Sequence, residues 1–187
     1  MQMSLRACRN AMAFSLGGIG IINVRNMVLC SLFAALMALC AWLSVPIAPI
    51  TFTMQTFALL LSLGILGGKW GSISVLLYLL LGLVGVPVFA GFRGGLGCFL
   101  DPAGGFLWGF LAASLAYWAA ERLGNLPAMI CGLLVCWICG GWWFSVYAGV
   151  GFVRAAAVCV LPWVIPDAIK LALAHTLSRR IGKHRKQ

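Results

Sequence analysis

Charged residues are scarce in this chain, and acidic residues are the scarcest. Of its 187 residues 9% are charged, only three are Asp or Glu, and 63% are hydrophobic. A soluble globular domain carries charge on roughly a quarter of its residues. No polar stretch is long enough to form a second domain. The composition therefore predicts one integral membrane domain.

Motifs for several kinds of chemistry are also missing. The chain has no phosphate-binding P-loop, no GxSxG motif and no cluster of metal ligands. Its histidines, His175 and His184, both lie near the basic C-terminal end. The CxxC of Cys136 and Cys139 has no partner motif, so the eight cysteines are expected to be small packing residues. We therefore expect no catalytic residue, no metal and no cofactor, which favours a binding or transport protein.

Long apolar runs make up most of the chain. Prolines, glycines and charged residues separate six of them, which predicts an all-α membrane protein with six transmembrane helices. The runs cover approximately residues 27–45, 53–68, 70–87, 106–120, 127–148 and 155–177. A glycine-rich connection between the third and fourth runs contains Arg93 and Asp101, and a long irregular loop of this kind is more often functional than a spacer.

The net charge of +10 comes mostly from the two ends of the chain. Basic clusters beside membrane segments favour the cytoplasmic side and anionic lipid, so we expect no nucleic-acid partner. An even number of helices places both termini in the cytoplasm, and the protein is expected to be a multi-pass protein of the cytoplasmic membrane. The basic residues are Arg6, Arg9 and Arg25 before the first run, and Arg179, Arg180, Lys183, Arg185 and Lys186 after the last.

Three regions follow from these patterns. Residues 1–26 are expected to form an N-terminal extension, either a surface helix or disordered chain, because their signal-like start lacks a convincing cleavage site. Residues 27–178 form the membrane domain. Residues 179–187 form a basic cytoplasmic tail.

An acidic residue and a lysine lie in the middle of the last apolar run. A carboxylate at membrane depth is costly, so Asp167 is expected to face a cavity, a partner or water. Lys170 is three residues away, on the same helical face, and is able to pair with it. Pro166 directly precedes Asp167 and is expected to loosen the backbone there. Either the pair neutralises itself and locks the bundle, or it lines a polar cavity and binds a ligand.

Neutral polar groups mark the start of the second helix. Pro46 and Pro49 interrupt the backbone there, and Thr51 and Gln55 add side chains that can bond to a ligand. Tyr78 adds a phenol in the third helix.

Two further patterns have two interpretations each. Trp143 and Tyr147, one turn apart, either anchor the membrane interface or line a pocket. Ala34 and Ala38 form AxxxA in the first helix, and Ala41 widens this small surface, which would let another helix approach closely.

The order and spacing of several motifs resemble one family. The stretch Pro-x-x-Pro-x-Thr-x-x-x-Gln-Thr, the run LLYLLLGLVGVPVFAG, GGLG, Pro-x-Gly-Gly-x-x-x-Gly-Phe and the late Pro-x-x-x-x-Asp-x-x-Lys occur in that order. Together they are similar to the biotin-specific substrate-binding subunits (S components) of energy-coupling-factor transporters, the BioY family. The resemblance covers about residues 24–178.

The resemblance implies a fold and a set of partners. It implies six helices with a biotin cavity near the outer face, closed by outward loops. It also implies docking on a transmembrane coupling subunit that carries two ATPase subunits, with the alanine face of Ala34, Ala38 and Ala41 as the docking surface. An S component for another vitamin, a membrane enzyme that uses Asp167 and Lys170, and a purely structural bundle are the alternatives.

Biotin's chemistry then assigns roles to the candidate residues. Asp167 would accept from the ureido N–H groups, with Lys170 balancing its charge. Phe89, Trp143 and Tyr147 would form apolar walls. Arg93 would bind the carboxylate tail. Asp101 replaces the small residue usual before Pro102 in similar sequences, and is expected to form a turn or to pair with Arg93. The substrate-binding candidates are Asp167, Lys170, Gln55, Thr51, Tyr78, Phe89, Arg93, Trp143 and Tyr147.

Overall fold

The computed structural model describes residues 24–45 and 51–184, and these are mostly helical. Residues 1–23 and 185–187, and with them most of the expected extension and the end of the basic tail, lie outside the described residues, as do Pro46 and Pro49. The helices are α1 (Val24–Trp42), α2 (Gln55–Leu83), α3 (Gly97–Leu100), α4 (Gly104–Ala120), α5 (Asn125–Ala148), α6 (Phe152–Cys159) and α7 (Val164–His184), with strands β1 (Ser44–Val45) and β2 (Phe52–Thr53) and 3₁₀ turns at Glu121–Leu123 and Leu161–Trp163.

Helix α2 is a hairpin of two helices rather than one rod. Gly67 has a φ of 79° and a ψ of 172°, a conformation that is essentially restricted to glycine. A Cβ on Gly71 would lie 3.0 Å from the Cα of Leu63, although eight residues span about 12 Å along a straight helix. The Gly68 N–H donates to the Glu121 carboxylate at 3.1 Å. The predicted second and third helices are therefore both present and meet at Gly67.

A short hairpin connects α1 to α2. Ser44 pairs with Thr53 and Val45 pairs with Phe52 in the antiparallel ladder of β1 and β2. The first helix ends at Trp42, three residues before the predicted end of the first apolar run, and the second begins at Gln55. The hairpin holds Phe52 and Thr53 directly before the α2 residues that form the site described below.

The last apolar run is broken. Helix α6 ends at Cys159, the 3₁₀ turn Leu161–Trp163 contains Pro162, and α7 begins at Val164. The break in the helix therefore lies a few residues before Pro166, where the sequence predicted it. Pro166 is in the first turn of α7, where a proline is tolerated because the first N–H groups of a helix have no partner within it.

The helices pack around one main core. Helix α1 packs on α2, α4 packs on α5, and α7 packs on α2. The buried apolar residues of α1, α2, α4 and α5 form the main cluster, and a smaller one joins α5 to α6. Counting α2 as two helices and α6 with α7 as one, the described residues contain the six predicted helices. Helices α1 and α7 also extend to Val24 and His184, beyond the predicted edges of the membrane domain.

The outer surfaces of these helices are apolar. Within the described residues, four segments are long and apolar enough to cross a membrane by length and composition, namely Val24–Trp42, Gln55–Leu83, Asn125–Ala148 and Phe152–Ile181. Large side chains on their outer faces, such as Leu32 and Leu39 of α1 and Ile138 of α5, are exposed. Contiguous exposed apolar surface of this kind fits a chain surrounded by lipid.

Candidate functional site

A cavity lies between the β2 segment, α2, the glycine-rich loop, α4, α5 and α7. Its volume, measured with its open mouth, is about 850 Å³. One wall is apolar and includes Phe106, Leu107 and Phe110 of α4. Asp167 and Lys170 of α7 also line the cavity, and the part of the lining that they form is called the polar wall below.

Asp167 and Lys170 form a buried ion pair in this wall. The Lys170 ammonium lies 2.8 Å from Asp167 Oδ1, and the two residues are 4% and 6% exposed, respectively. The ammonium also donates to the Thr53 carbonyl at 2.7 Å and approaches Thr56 Oγ1 at 3.4 Å. The Phe52 ring covers it at 4.1 Å from the ring centroid. Each proton of the ammonium therefore has an acceptor.

The other carboxylate oxygen of Asp167 is held from α5. Trp137 Nε1 donates to Asp167 Oδ2 at 3.0 Å, and Thr56 Oγ1 lies 3.4 Å from Oδ1. An ionised carboxylate has about four acceptor positions, so these contacts leave capacity for a ligand donor. The two interpretations of the pair are therefore compatible, since the pair joins α7 to α2 and also lines the cavity.

The uncharged candidates lie on both sides of the wall. Thr51, Gln55 and Phe89, three of the predicted substrate-binding residues, line the cavity. Tyr78 is completely buried behind it and does not line it. Its hydroxyl accepts a hydrogen bond from Gln55 Nε2 and donates to the Val88 carbonyl at 3.1 Å.

Arg93 lies at the mouth of the cavity. Its guanidinium pairs with the Asp101 carboxylate across the glycine-rich loop, which confirms the predicted partnership. The arginine side chain is 55% exposed, so water screens this pair. Phe89 and Arg93 form an isolated antiparallel bridge that closes the turn between them. Arg93 is therefore exposed to solvent and also lines the cavity.

Cys98, in the same loop, also lines the cavity. Burial raises the pKa of its thiol, and the nearby Arg93 charge partly offsets this effect. Among residues 24–45 and 51–184, no three His, Cys, Asp or Glu side chains come together as metal ligands do.

Two aromatic candidates lie outside the cavity lining. Trp143 donates from Nε1 to the Asp101 carbonyl at 3.0 Å, so it holds the glycine-rich loop rather than a ligand. Tyr147, one turn later, is 55% exposed. Neither residue is in the lining of the cavity that contains Asp167.

The alanine face of α1 is buried within the helix bundle, so it is not the exposed docking surface that the sequence predicted. Ala34, Ala38 and Ala41 are all buried, and α1 packs on α2. Small residues permit close approach of any helix, and here that helix belongs to the same chain. The exposed side of α1 carries Ser31 and Ala35 instead.

Several residues of the cavity lining were not among the predicted ligand residues, and Phe52, Thr56, Trp137 and Trp163 are four of them. Nothing in their local sequence distinguishes them, because their position depends on how α5 and the β1–β2 hairpin pack on α7. All four line the cavity.

Comparison with known proteins identifies relatives over most of the chain. A model of the BioY family matches residues 10–187. The "Probable biotin transporter BioY" of Pyrococcus horikoshii is 37% identical over 161 residues, covering 86% of this chain and 98% of that protein. The "Biotin transporter BioY" of Thermotoga maritima is 35% identical over 165 residues, covering 86% and 97%. A crystal structure described as the S-component for biotin from an ECF-type ABC transporter superposes with a TM-score of 0.79 at 26% identity, over 88% of this chain and 92% of that one.

Proposed function

The chain belongs to the BioY family, and from this premise we propose that it binds biotin and serves biotin uptake as the S component of an energy-coupling-factor transporter. It is a transporter subunit rather than an enzyme. The observation that carries the assignment to this cavity is the buried Asp167–Lys170 pair in its wall. A transported molecule with N–H donors and an apolar body suits such a wall better than a purely apolar ligand would.

We propose one orientation for biotin in the cavity. The ureido ring carries two N–H donors and one carbonyl, and we place it against Asp167 and Gln55. The Lys170 ammonium supplies the counter-charge to the carboxylate at 2.8 Å. The aliphatic and thioether parts lie along Phe89 and the α4 side chains. The carboxylate tail reaches Arg93 at the mouth, where a partly exposed guanidinium forms a charge-assisted bond.

The proposed assembly includes a transmembrane coupling subunit and two ATPase subunits. The chain lies in the cytoplasmic membrane with both termini in the cytoplasm, and the cavity opens toward the outside. The exposed side of α1 around Ser31 and Ala35 is a better docking face than the buried alanines, since a partner helix can reach it.

Calorimetric titration of the purified protein in detergent tests the binding function. We expect saturable binding of one biotin per chain and no heat of binding with thiamine or riboflavin. Binding of another vitamin but not biotin would move the protein to a different specificity within the S components. Absence of biotin binding by a protein that is folded and monodisperse would refute the proposal.

A further inference from the structure

Tyr78 lies behind the cavity wall and touches a residue that forms the wall. It is 0% exposed, whereas Gln55, whose amide contacts its hydroxyl, lines the cavity. Tyr78 therefore has no direct access to a ligand in the cavity. Any effect of Tyr78 on binding therefore passes through its neighbours, of which Gln55 and Phe89 line the cavity.

The hydroxyl of Tyr78 has one proton to donate, and the structure shows where it goes. The Val88 carbonyl lies 3.1 Å from Tyr78 Oη, and a carbonyl only accepts. With its proton donated to Val88, the hydroxyl acts as an acceptor toward Gln55. Gln55 must then turn its NH₂ group toward Tyr78, as the Nε2 contact shows. This argument fixes the orientation of the amide from its partners.

The fixed orientation leaves the other end of the amide available. No donor among the described residues bonds to Gln55 Oε1, while one of the two N–H groups of Nε2 is donated to Tyr78. Gln55 thus offers the cavity an acceptor. A carboxamide that rotated freely would offer an acceptor or a donor equally well.

Tyr78 itself is held in place by the outer loop. The Phe89 ring packs edge-on against the Tyr78 ring at 5.5 Å between centroids. Phe89 in turn lies on Gly82, where any Cβ would be 2.0 Å from Phe89 Cζ. The absence of a side chain at Gly82 lets Phe89 settle there and keeps the Val88 carbonyl beside the phenol. The packing of α2 against the loop therefore determines which end of the Gln55 amide faces Tyr78.

We infer that Tyr78 is a positioning residue that fixes the Gln55 amide so that Oε1 accepts a hydrogen bond from one ureido N–H of biotin. This inference rests on the proposed function and names a further determinant of its specificity. The cavity then reads the ureido ring with two acceptors, Asp167 and Gln55, and rejects analogues in which the N–H that faces Gln55 is missing.

Two cyclic carbamate analogues of biotin test the inference, each with one ureido N–H replaced by a ring oxygen. Dissociation constants for biotin and both analogues are measured by titration for the wild type and for Tyr78→Phe. The matched control is Tyr117→Phe, which removes another buried phenol hydroxyl that bonds an amide, that of Asn125 at 2.8 Å, near the far end of α4. Gln55→Leu keeps Tyr78 and removes the acceptor.

The wild type is expected to bind both analogues more weakly than biotin, because one places an oxygen against Asp167 and the other places an oxygen against Gln55 Oε1. For the second analogue the loss should be at least about tenfold. In Tyr78→Phe the amide can turn its NH₂ toward that oxygen. The discrimination ratio, which is the dissociation constant of that analogue divided by that of biotin, should fall at least threefold. Biotin itself should bind roughly two- to fivefold more weakly, because the amide is no longer held in place. Tyr117→Phe should keep the wild-type ratio, and Gln55→Leu should bring it close to one.

A Tyr78→Phe protein that binds biotin and the analogue equally less well, with the ratio preserved, would show that Tyr78 is only structural and would overturn the inference. So would a wild type that binds biotin but discriminates against neither analogue, and in that case the proposed function stands. A wild type without biotin affinity overturns both. Should Tyr78→Phe fail to elute as a folded species, Gln55→Leu decides: a ratio near one supports the inference, and a wild-type ratio refutes it.

Discussion

Replacement of Asp167 by Asn changes the charge of the buried pair and almost nothing else. The asparagine keeps the shape of the carboxylate, but one of its two terminal atoms becomes an NH₂ group. Lys170 Nζ at 2.8 Å and Trp137 Nε1 at 3.0 Å both donate to Asp167, on different oxygens. One of these donors must then face the new NH₂. Lys170, 4% exposed, also loses its counter-charge.

Two separate losses follow, one in stability and one in binding. Removing one partner of a buried ion pair costs about 3–5 kcal/mol. The lower end of that range, about 3 kcal/mol, applies here, because Lys170 keeps the Thr53 carbonyl at 2.7 Å. A ligand N–H that bonds a charged acceptor contributes about 1–3 kcal/mol, so biotin affinity should fall roughly 5- to 150-fold.

The double variant Asp167→Asn/Lys170→Met separates these two losses. Replacing both partners of a buried pair by uncharged groups is often neutral, so thermal stability in detergent should return to within about 1 kcal/mol of the wild type. Biotin binding should not return, because the charged acceptor is still missing. Asp101→Asn is the control for stability, since its pair with Arg93 is exposed and contributes at most about 1 kcal/mol.

Two results would refute this reasoning. Biotin titration of Asp167→Asn within twofold of the wild type would leave Asp167 with a structural role only. A double variant as unstable as the single one would show that the unpaired charge of Lys170 is not the cause of the destabilisation.

Three further predictions concern the loops at both ends of the molecule. Gly67→Ala should lower unfolding free energy by about 1–3 kcal/mol, because φ is 79° and the new Cβ would meet Glu121 Oε1 at 2.9 Å; Gly97→Ala, with open space at its Cβ, should be silent in the same thermal melt. Arg93→Ala should remove a preference of about tenfold for biotin over its methyl ester, and a preference that survives would exclude Arg93 as the tail partner. Cys98 should react slowly with iodoacetamide near neutral pH and faster as pH rises, because burial raises the pKa of its thiol and keeps it protonated. Bound biotin should slow this reaction further, with Cys98→Ala giving the background from the other cysteines. Equal rates with and without biotin would contradict the place of Cys98 in the cavity wall.

The sequence predicted the helices well because their signal is local. Length and composition define each apolar run. The glycines after residue 66 indicate a turn, and the structure has this turn at Gly67. The position of the break in the last run was missed by a few residues, since Pro162 and Pro166 are equally able to interrupt a helix. Only the first-turn position of Pro166 in α7 distinguishes them.

The site was predicted only in part, because some of its residues are recognisable from their local sequence and others are not. A carboxylate and a lysine in an apolar run are conspicuous, and both line the cavity. Trp137 is one of eight tryptophans, and its bond to Asp167 depends on the rotation of α5. The AxxxA pattern shows that α1 has a close-packing face, but the same small residues serve a partner chain or the chain's own α2.

The short distance along the chain between Asp167 and Lys170 also bears on how the protein is made. A lone Asp or Lys at the centre of a helix adds about 2.5–3.5 kcal/mol to the cost of membrane insertion. Residues three apart meet as soon as one helical turn forms, so the segment can enter the bilayer as a neutral unit. Its more distant partners, Thr53 and Trp137, lie earlier in the chain and are synthesised first. The polar wall of the cavity can therefore be completed by the arrival of α7, with each charge already matched when it leaves water.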